Sequence, residues 1–310
     1  MSESPSLMIS PGPHLKAELT TKQIMWWVNA SLVPLFCWAI TIYGLRVVGL
    51  LISGSLGALV GEGLVNYLRK QRQTMLDGSA VLTGLLLVGT LPPGMPLWMP
   101  SVGGFVAIVF AKMLFGGLGY NVFNPALIGR AFLMATFPLA MTTTWLKPFE
   151  AVTQATPLNV WKLEGVFFNN TLHLFLGLRS GSVGEVSVLL ILIGALILLF
   201  KGIIKLYIPL SVLAGLLAIA FFSGNALFQF LTGGLWFGAF YMATDYVTAP
   251  INPKAQVIFG LGIGILTGII RLWGGYPEGI CYAILIMNAV TPALNHWFRP
   301  TRPEQMGAPS

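Results

Sequence analysis

In a chain this apolar, the polar residues kept near or inside hydrophobic runs are the ones whose types and spacing could do chemistry. Asp77 and Asp245 stand at the edges of two such runs, beside Ser79 and Thr83 in one case and Thr244 and Thr248 in the other. A carboxylate there either caps a helix by accepting backbone N–H bonds or meets a cation or a ligand N–H. The cap suits Asp77, which precedes its run, better than Asp245, which ends one. Arg130 follows Pro125 by five residues in an otherwise apolar stretch. A charge at that depth is costly and usually faces a cavity or a partner. Asn121 and Asn124 are one helical turn apart if the segment is helical, so their amides could converge on one uncharged, uracil-like ligand edge or bond neighbouring helices. Thr153-Gln154-Ala155-Thr156-Pro157 occupies the longest polar gap, without His, Cys or paired carboxylates beside it. Its proline pushes Thr156 towards extended backbone. On the residues alone it is a turn-rich loop that would present an exposed Thr156 hydroxyl.

Other chemistries find little support. Cys37 and Cys281 both lie in apolar runs and form no C-x-x-C, which speaks against an iron–sulfur cluster held by this chain alone and against a disulfide framework. His14, His173 and His296 fall at or beyond the ends of apolar runs, where paired haem ligands are not expected. "GGLG" at 116–119 lacks the strand–turn–helix setting of a dinucleotide fingerprint and reads as a tight loop between helices. The glycosylation-type triplets at Asn29 and Asn169 are too common by chance to use.

The elements that must position these residues are membrane helices. Of 310 residues, 55% are hydrophobic and only 9% charged, against about 25% charged in soluble domains; the mean hydropathy is +0.80. Apolar runs long enough to cross about 30 Å of hydrocarbon recur along the chain. We place about ten spans near 25–44, 46–66, 79–93, 97–115, 120–140, 186–201, 204–223, 226–244, 255–272 and 277–296, several of them interrupted around Pro92-Pro93, Pro125 and Pro250. The first 24 residues are polar, without the apolar core of a signal peptide.

Positive charge sets the orientation. With both termini cytoplasmic, Lys16, Lys22, Arg69, Lys70, Arg72, Lys112, Lys201, Lys205, Lys254, Arg299 and Arg302 lie inside. Only Arg46, Lys147, Lys162, Arg179 and Arg271 lie outside, and Arg130 falls within a span. This bias is the positive-inside pattern, and it puts the long gap from Thr142 to Glu185 on the outer face. The net charge of +7 is thus an orientation signal, and no basic run interleaved with aromatics suggests nucleic acid. "NVFNPAL" at 121–127 resembles "NAVTPAL" at 288–294, and "LDGSAVLTG" faces "ATDYVTAP" at nearly the same offset. The expected architecture is an all-α integral membrane protein of two inverted five-helix repeats, 25–140 and 186–296, with interrupted helices. An extracytoplasmic loop at 141–185 joins them, and cytoplasmic segments at 1–24 and 297–310 flank them. Such repeats place binding sites at broken helices near the midplane.

Read together and in order, "SPGPHLKAELTTKQIMWWV", "DGSAVLTGLLLVGTLPP", "KMLFGGLGYNVFNPALIGRAFL", "TQATPL" and "YMATDYVTAPINPKAQVIFGLGIG" resemble the D-subunit family of Rnf-type ion-translocating ferredoxin:NAD oxidoreductases, itself similar to the B subunit of the sodium-pumping NADH:quinone reductase. The likeness covers nearly the whole chain, and the chain's compact length with its short N-terminus favours the Rnf side. The resemblance implies an electron-transfer subunit of the cytoplasmic membrane. It would carry FMN on a threonine of a Ser/Thr-x-Ala-Thr motif, here Thr153-Gln154-Ala155-Thr156, with the phosphoester on Thr156. Gln154 stands where the family's commoner form has a small residue. The resemblance further implies a flavin transferase acting outside the cytoplasm and a noncovalent riboflavin, for which Asn121, Asn124 and, less directly, Asp245 are candidates. Arg130 would face a reduced flavin or a phosphate. The implied partners are the other subunits of the complex, among them a second FMN-bearing subunit and iron–sulfur subunits, and the ion moved is Na+ or H+. Asp77 and Asp245, in repeat-related places, are candidates for ion coupling. The readings from other classes are a channel or secondary transporter and a scaffold subunit; the sodium-pumping quinone reductase is the alternative within the same class.

Overall fold

The computed structural model describes residues 19–71, 73–150, 152–168 and 170–299; His14, Lys16, Arg72, Asn169, Arg302 and most of the two terminal segments lie outside them. Among the described residues the regular structure is helical, apart from a single isolated antiparallel bridge between Leu146 and Thr153. Three helices are long and apolar enough by length and composition to cross a membrane: α1 (Thr21–Tyr43), α2 (Arg46–Leu68) and α13 (Pro253–Trp273). Shorter apolar helices accompany them: α3 (Ser79–Gly89), α4 (Trp98–Ile108), α5 (Pro125–Thr136), α9 (Val188–Phe200) and α10 (Tyr207–Ala220). The eighteen-residue α14 (Ile280–Trp297) is the last described helix. The molecule is a multi-pass membrane protein. Large apolar side chains such as Val33, Ile52, Val60, Leu210 and Ile286 stand exposed along these helices, as they do when the solvent around them is lipid.

Polar residues enter where helices stop. α4 runs on into a π turn, Val109–Met113, and the one-turn α12 (Leu235–Phe237) runs into another, Gly238–Met242. Such wide turns recur at functional sites. The loop 114–124 that follows Met113 contains Gly116, Gly117 and Gly119 at positive φ, the tight loop expected of "GGLG".

Backbones approach closely through glycine. A Cβ on Gly57 of α2 would overlap the Ser101 carbonyl oxygen of α4, and one on Gly264 of α13 would overlap the Val212 carbonyl oxygen of α10. Small-residue crossings are how membrane helices gain packing where lipid removes the hydrophobic drive. In both pairs a glycine of one helix meets a backbone carbonyl of its neighbour. The sequence match at 121–127 and 288–294 has a different setting in each half: "NPAL" opens α5 at Pro125, whereas "TPAL" lies late in α14, with Pro292 inside the helix.

The long polar gap after α5 is a set of short elements rather than one loop. α6 (Pro138–Thr143), α7 (Pro157–Glu164) and α8 (Thr171–Leu176) lie there. α11 (Ala226–Leu231) follows α10 through a 3-10 turn at Phe221–Ser223. Phe167 and Phe228 stack edge to face at 5.4 Å, packing the gap onto α11.

Candidate functional site

The short helices leave carbonyls without an intrahelical partner, and α5 serves both of the interrupted ones. At the C-terminus of α3, Val183 N–H donates to the Leu91 carbonyl at 3.1 Å and Gly184 N–H to the Gly89 carbonyl at 2.6 Å. Arg130 Nη1, from α5, donates to the Thr90 carbonyl. A cation at a helix C-terminus is favourable. At the end of the π turn after α12, Asn124 Nδ2 donates to the Met242 carbonyl at 3.2 Å. Asn124 is also the N-cap of α5, its Oδ1 accepting from Leu127 N–H at 3.3 Å.

Two clefts flank this clasp. The inner one lies between α1, α3, α5 and the π turn after α12, with a cavity volume of about 90 Å3. Asn121, Asn124 and Asp245 all line it, so three sequence candidates share one site. Asn121 lies in the loop and Asn124 at the cap, since the helix begins only at Pro125. The convergence of their amides therefore comes from the loop's fold, not from helical spacing. The Asn121 amide donates to the Phe123 carbonyl at 3.2 Å. Asp245 accepts from Val247 N–H at 3.4 Å and from Thr248 Oγ1 at 3.1 Å, a local turn that the "APINP" sequence had not suggested.

Two further residues of this region escaped the sequence reading. Lys112, counted there among the charges on the inside, is buried at 2% exposure in the π turn after α4. Its Nζ lies 3.0 Å from Glu62 Oε2 and donates to Ser79 Oγ at 2.6 Å. Glu62 is fully buried on α2 and accepts from Thr74 Oγ1. The signal was visible: Glu62 is the one carboxylate inside the apolar run 46–66, and such a residue by default needs a partner. Asp77 lies apart from the inner cleft. It accepts from Ser79 N–H at 2.8 Å and Ser79 Oγ at 2.6 Å, the capping role, and lines a vestibule with Glu62, Asn66 and Thr74.

The outer cleft is lined by Arg130, Trp145, Thr156, Asn159, Tyr276 and Glu278, among others. Arg130 and Thr156 are thus brought together from positions 26 residues apart. Thr156 has the extended backbone that a following proline favours (φ −69°, ψ 152°), but its side chain is buried at 5% exposure instead of being presented to solvent. The reason is local. Thr156 is the N-cap of α7, its Oγ1 accepting from Asn159 N–H at 3.3 Å. Lys162, near the end of α7, donates to the Ile270, Arg271 and Tyr276 carbonyls at 3.2, 2.9 and 3.0 Å. That contact presses α7 onto the end of α13. Burial lowers the Lys162 ammonium from the ordinary lysine range. Thr153, Gln154 and Ala155 remain exposed, with Thr153 in the bridge to Leu146 and Gln154 Oε1 accepting from Ser180 Oγ at 3.2 Å.

Behind Thr156 the charge is paired. Arg130 Nη2 lies 2.7 Å from Glu278 Oε2. Arg179 Nη1 lies 3.1 Å from Glu185 Oε1, both side chains almost fully buried. Burial, and after it the Glu278 charge, push the Glu185 carboxyl up to about 7. None of Glu185, Glu278 and Arg179 was singled out from the sequence, because they lie in irregular segments where no periodicity marks a buried position.

The model of the NQR2, RnfD, RnfE family matches residues 8–304. Among curated proteins, the chain is 44% identical to the D subunit of the proton-translocating ferredoxin:NAD(+) oxidoreductase complex of Clostridium ljungdahlii, over 95% of each chain. It is 41% identical to the D subunit of the Na(+)-translocating ferredoxin:NAD(+) oxidoreductase complex of Acetobacterium woodii, over 94% of this chain and 93% of that one. It is 36% identical to the D subunit of the ion-translocating oxidoreductase complex of Stutzerimonas stutzeri, over 90% of each. The clefts therefore sit in a chain that belongs to the NQR2, RnfD, RnfE family.

Proposed function

We propose that this chain is the D subunit of an Rnf-type complex in the prokaryotic cytoplasmic membrane and carries electrons through FMN esterified to Thr156. The family and its relatives' names support the subunit. The observation that carries the flavin reading is the outer cleft, where the Thr156 hydroxyl, the Arg130 guanidinium and the rings of Trp145, Tyr276 and Tyr282 line one space. The residues fit the group. The hydroxyl is the ester acceptor, Asn159 and the start of α7 favour a phosphate, and the aromatic wall suits a flat ring. Bound there, FMN supplies one- and two-electron redox chemistry. The chain's own part is to hold the ring away from water, to fix the anchor through Lys162, and to keep the nearby charge balanced by pairing Arg130 with Glu278.

The inner cleft suits a noncovalent riboflavin: Asn121 and Asn124 offer neutral donors and acceptors to the ring's amide edge, and Asp245 offers an acceptor. Both termini lie in the cytoplasm and Thr156 outside, where the flavin transferase works; the halves are inverted five-helix repeats. Electrons from reduced ferredoxin reach NAD through partner subunits, including the iron–sulfur subunits and a second FMN-bearing one, coupled to Na+ or H+ export. The first two relatives reported above are named for different ions, so sequence similarity does not choose between them. Asp77 and Asp245 are candidates for the coupling. Replacing either would lower ions moved per electron more than complex assembly, and unchanged ratios in both variants would exclude the role.

Ultraviolet fluorescence of the denatured polypeptide, prepared from its native host, tests the central reading. A fluorescent band in the wild type that disappears in Thr156→Ala supports covalent flavin. A dark wild-type band, as a colourless channel, transporter or scaffold would give, overturns it.

A further inference from the structure

We propose that the enzyme that esterifies Thr156 recognises the segment before it by adding a strand to the free backbone edge of Thr153 and Ala155. The proposal rests on the flavin reading of Thr156 and concerns how the chain is presented to that enzyme.

Residues 145–147 and 152–154 pair as a short hairpin. Lys147 N–H donates to the Val152 carbonyl and Gln154 N–H to the Trp145 carbonyl, both at 2.9 Å. Glu150 N–H closes a turn on the Lys147 carbonyl at 3.2 Å, with Pro148 and Phe149 between them. Phe149 stands at φ +61°, the left-handed setting required after a proline at the second position of such a turn. Its N–H donates to the Ile42 carbonyl at 2.9 Å, which pins the turn to α1. None of these bonds uses a residue of α7. They can all be in place while α7 is still unseated.

The pairing leaves one strand with an open side. Along an antiparallel pair, successive residues turn their N–H and C=O alternately towards the partner strand and away from it. Gln154 spends its N–H on Trp145, so Thr153 and Ala155 face outwards. Both are exposed, and among the described residues neither the N–H nor the carbonyl of either makes a hydrogen bond. An unpaired edge of this kind is a template for another strand, and strand addition is a general mode of peptide recognition.

The position of the hydroxyl picks the partner. Thr156 follows the edge directly and continues its extended backbone at φ −69°, ψ 152°. A strand laid along Thr153 and Ala155 therefore runs on to the group that is to be esterified. Gln154 fits the same reading. Its side chain is engaged within the chain, Oε1 accepting from Ser180 Oγ at 3.2 Å. A bulky residue at this place then leaves the edge clear, because the added strand bonds to the backbone on either side of it.

The test replaces single backbone N–H groups by ester oxygens, which keeps every side chain. The full-length chain is made by cell-free synthesis into lipid nanodiscs, which leave both faces open, with an α-hydroxy acid in place of Thr153, Ala155 or Gln154. A limiting amount of the host's flavin transferase is present throughout with FAD, whose pyrophosphate bond breaks as the bond to Thr156 Oγ forms, releasing AMP and a proton. Fluorescence of the denatured band is followed in time and divided by the amount of chain held in nanodiscs, so that a chain that fails to insert is not counted. Removing one edge bond, at Thr153 or at Ala155, should slow attachment roughly tenfold, and both esters together should leave the band nearly dark. The ester at Gln154 removes a bond inside the hairpin and should slow attachment less. Wild-type rates with both edge esters overturn this proposal and leave the flavin reading standing. Equal slowing by the Gln154 ester also overturns it, since the rate would then follow the hairpin's stability and not its edge. A dark wild-type band overturns it together with the flavin reading.

Discussion

The two clefts lie on either side of the same clasp and solve opposite problems. The outer one is lined by a charged pair, Arg130–Glu278, and a second buried pair, Arg179–Glu185, lies in the irregular segment between α8 and α9. The inner one offers two neutral amides and Asp245, and is also lined by Ser79 and by Lys112, whose charge is paired with the buried Glu62. A charged, covalently fixed ligand that changes charge needs a balanced surround that can adjust. A neutral ligand held only by hydrogen bonds needs matched donors and acceptors, and would be penalised by a strong local field. The difference between the clefts is thus a difference in what each can tolerate.

Several variants would break or sharpen that contrast. The largest effect is on flavin content: Thr156→Ala should abolish the fluorescent band and leave acid-extractable riboflavin in place, whereas Asn121→Ala with Asn124→Ala should do the reverse. Loss of both flavins from either variant would show that the clefts are one site. Next comes Glu62→Ala, which strands Lys112 at 3% side-chain exposure. Breaking a buried pair on one side costs about 3–5 kcal/mol, so the solubilised complex should unfold at clearly lower temperature, and Glu62→Gln should lose less. Glu278→Ala should cost less than Glu62→Ala, because Arg130 keeps the Thr90 carbonyl and its pair is more open. The smallest change is Asn124→Ala alone, which removes a cap and the bond to Met242. About 1 kcal/mol is expected from the cap, read as a small shift in the same unfolding curve. A shift as large as that of Glu62→Ala would mean that the inner cleft depends on Asn124 as much as on its ion pair.

Helix placement was legible because hydropathy and Pro/Gly breaks act locally. The apolar runs expected at 25–44, 46–66 and 255–272 correspond to α1, α2 and α13 within a few residues. The meeting of Asn121, Asn124 and Asp245 was legible only in part. The sequence offered the three residues, but the loop at 114–124, not a helical turn, places the two amides in one cleft, and loop geometry is written in positive-φ glycines more than in periodicity. Thr156 became a candidate through its motif alone; nothing in spacing tells an exposed threonine from one folded under α7. The carboxylates were the real omission. Glu278 lies 148 residues from its partner Arg130, and only tertiary packing brings the two side chains to 2.7 Å. Long-range pairings of that kind have no local signature.

The burial of Thr156 under α7 sets a timetable. An enzyme that must reach Oγ1 can do so only while the Lys162 latch is open, before α7 settles against α13. On the flavin reading proposed above, attachment belongs to the biogenesis of the subunit rather than to its working life. On that same reading, a chain that closes early is committed to remain dark, and a mature one holds an anchor that no later enzyme can easily add or strip away.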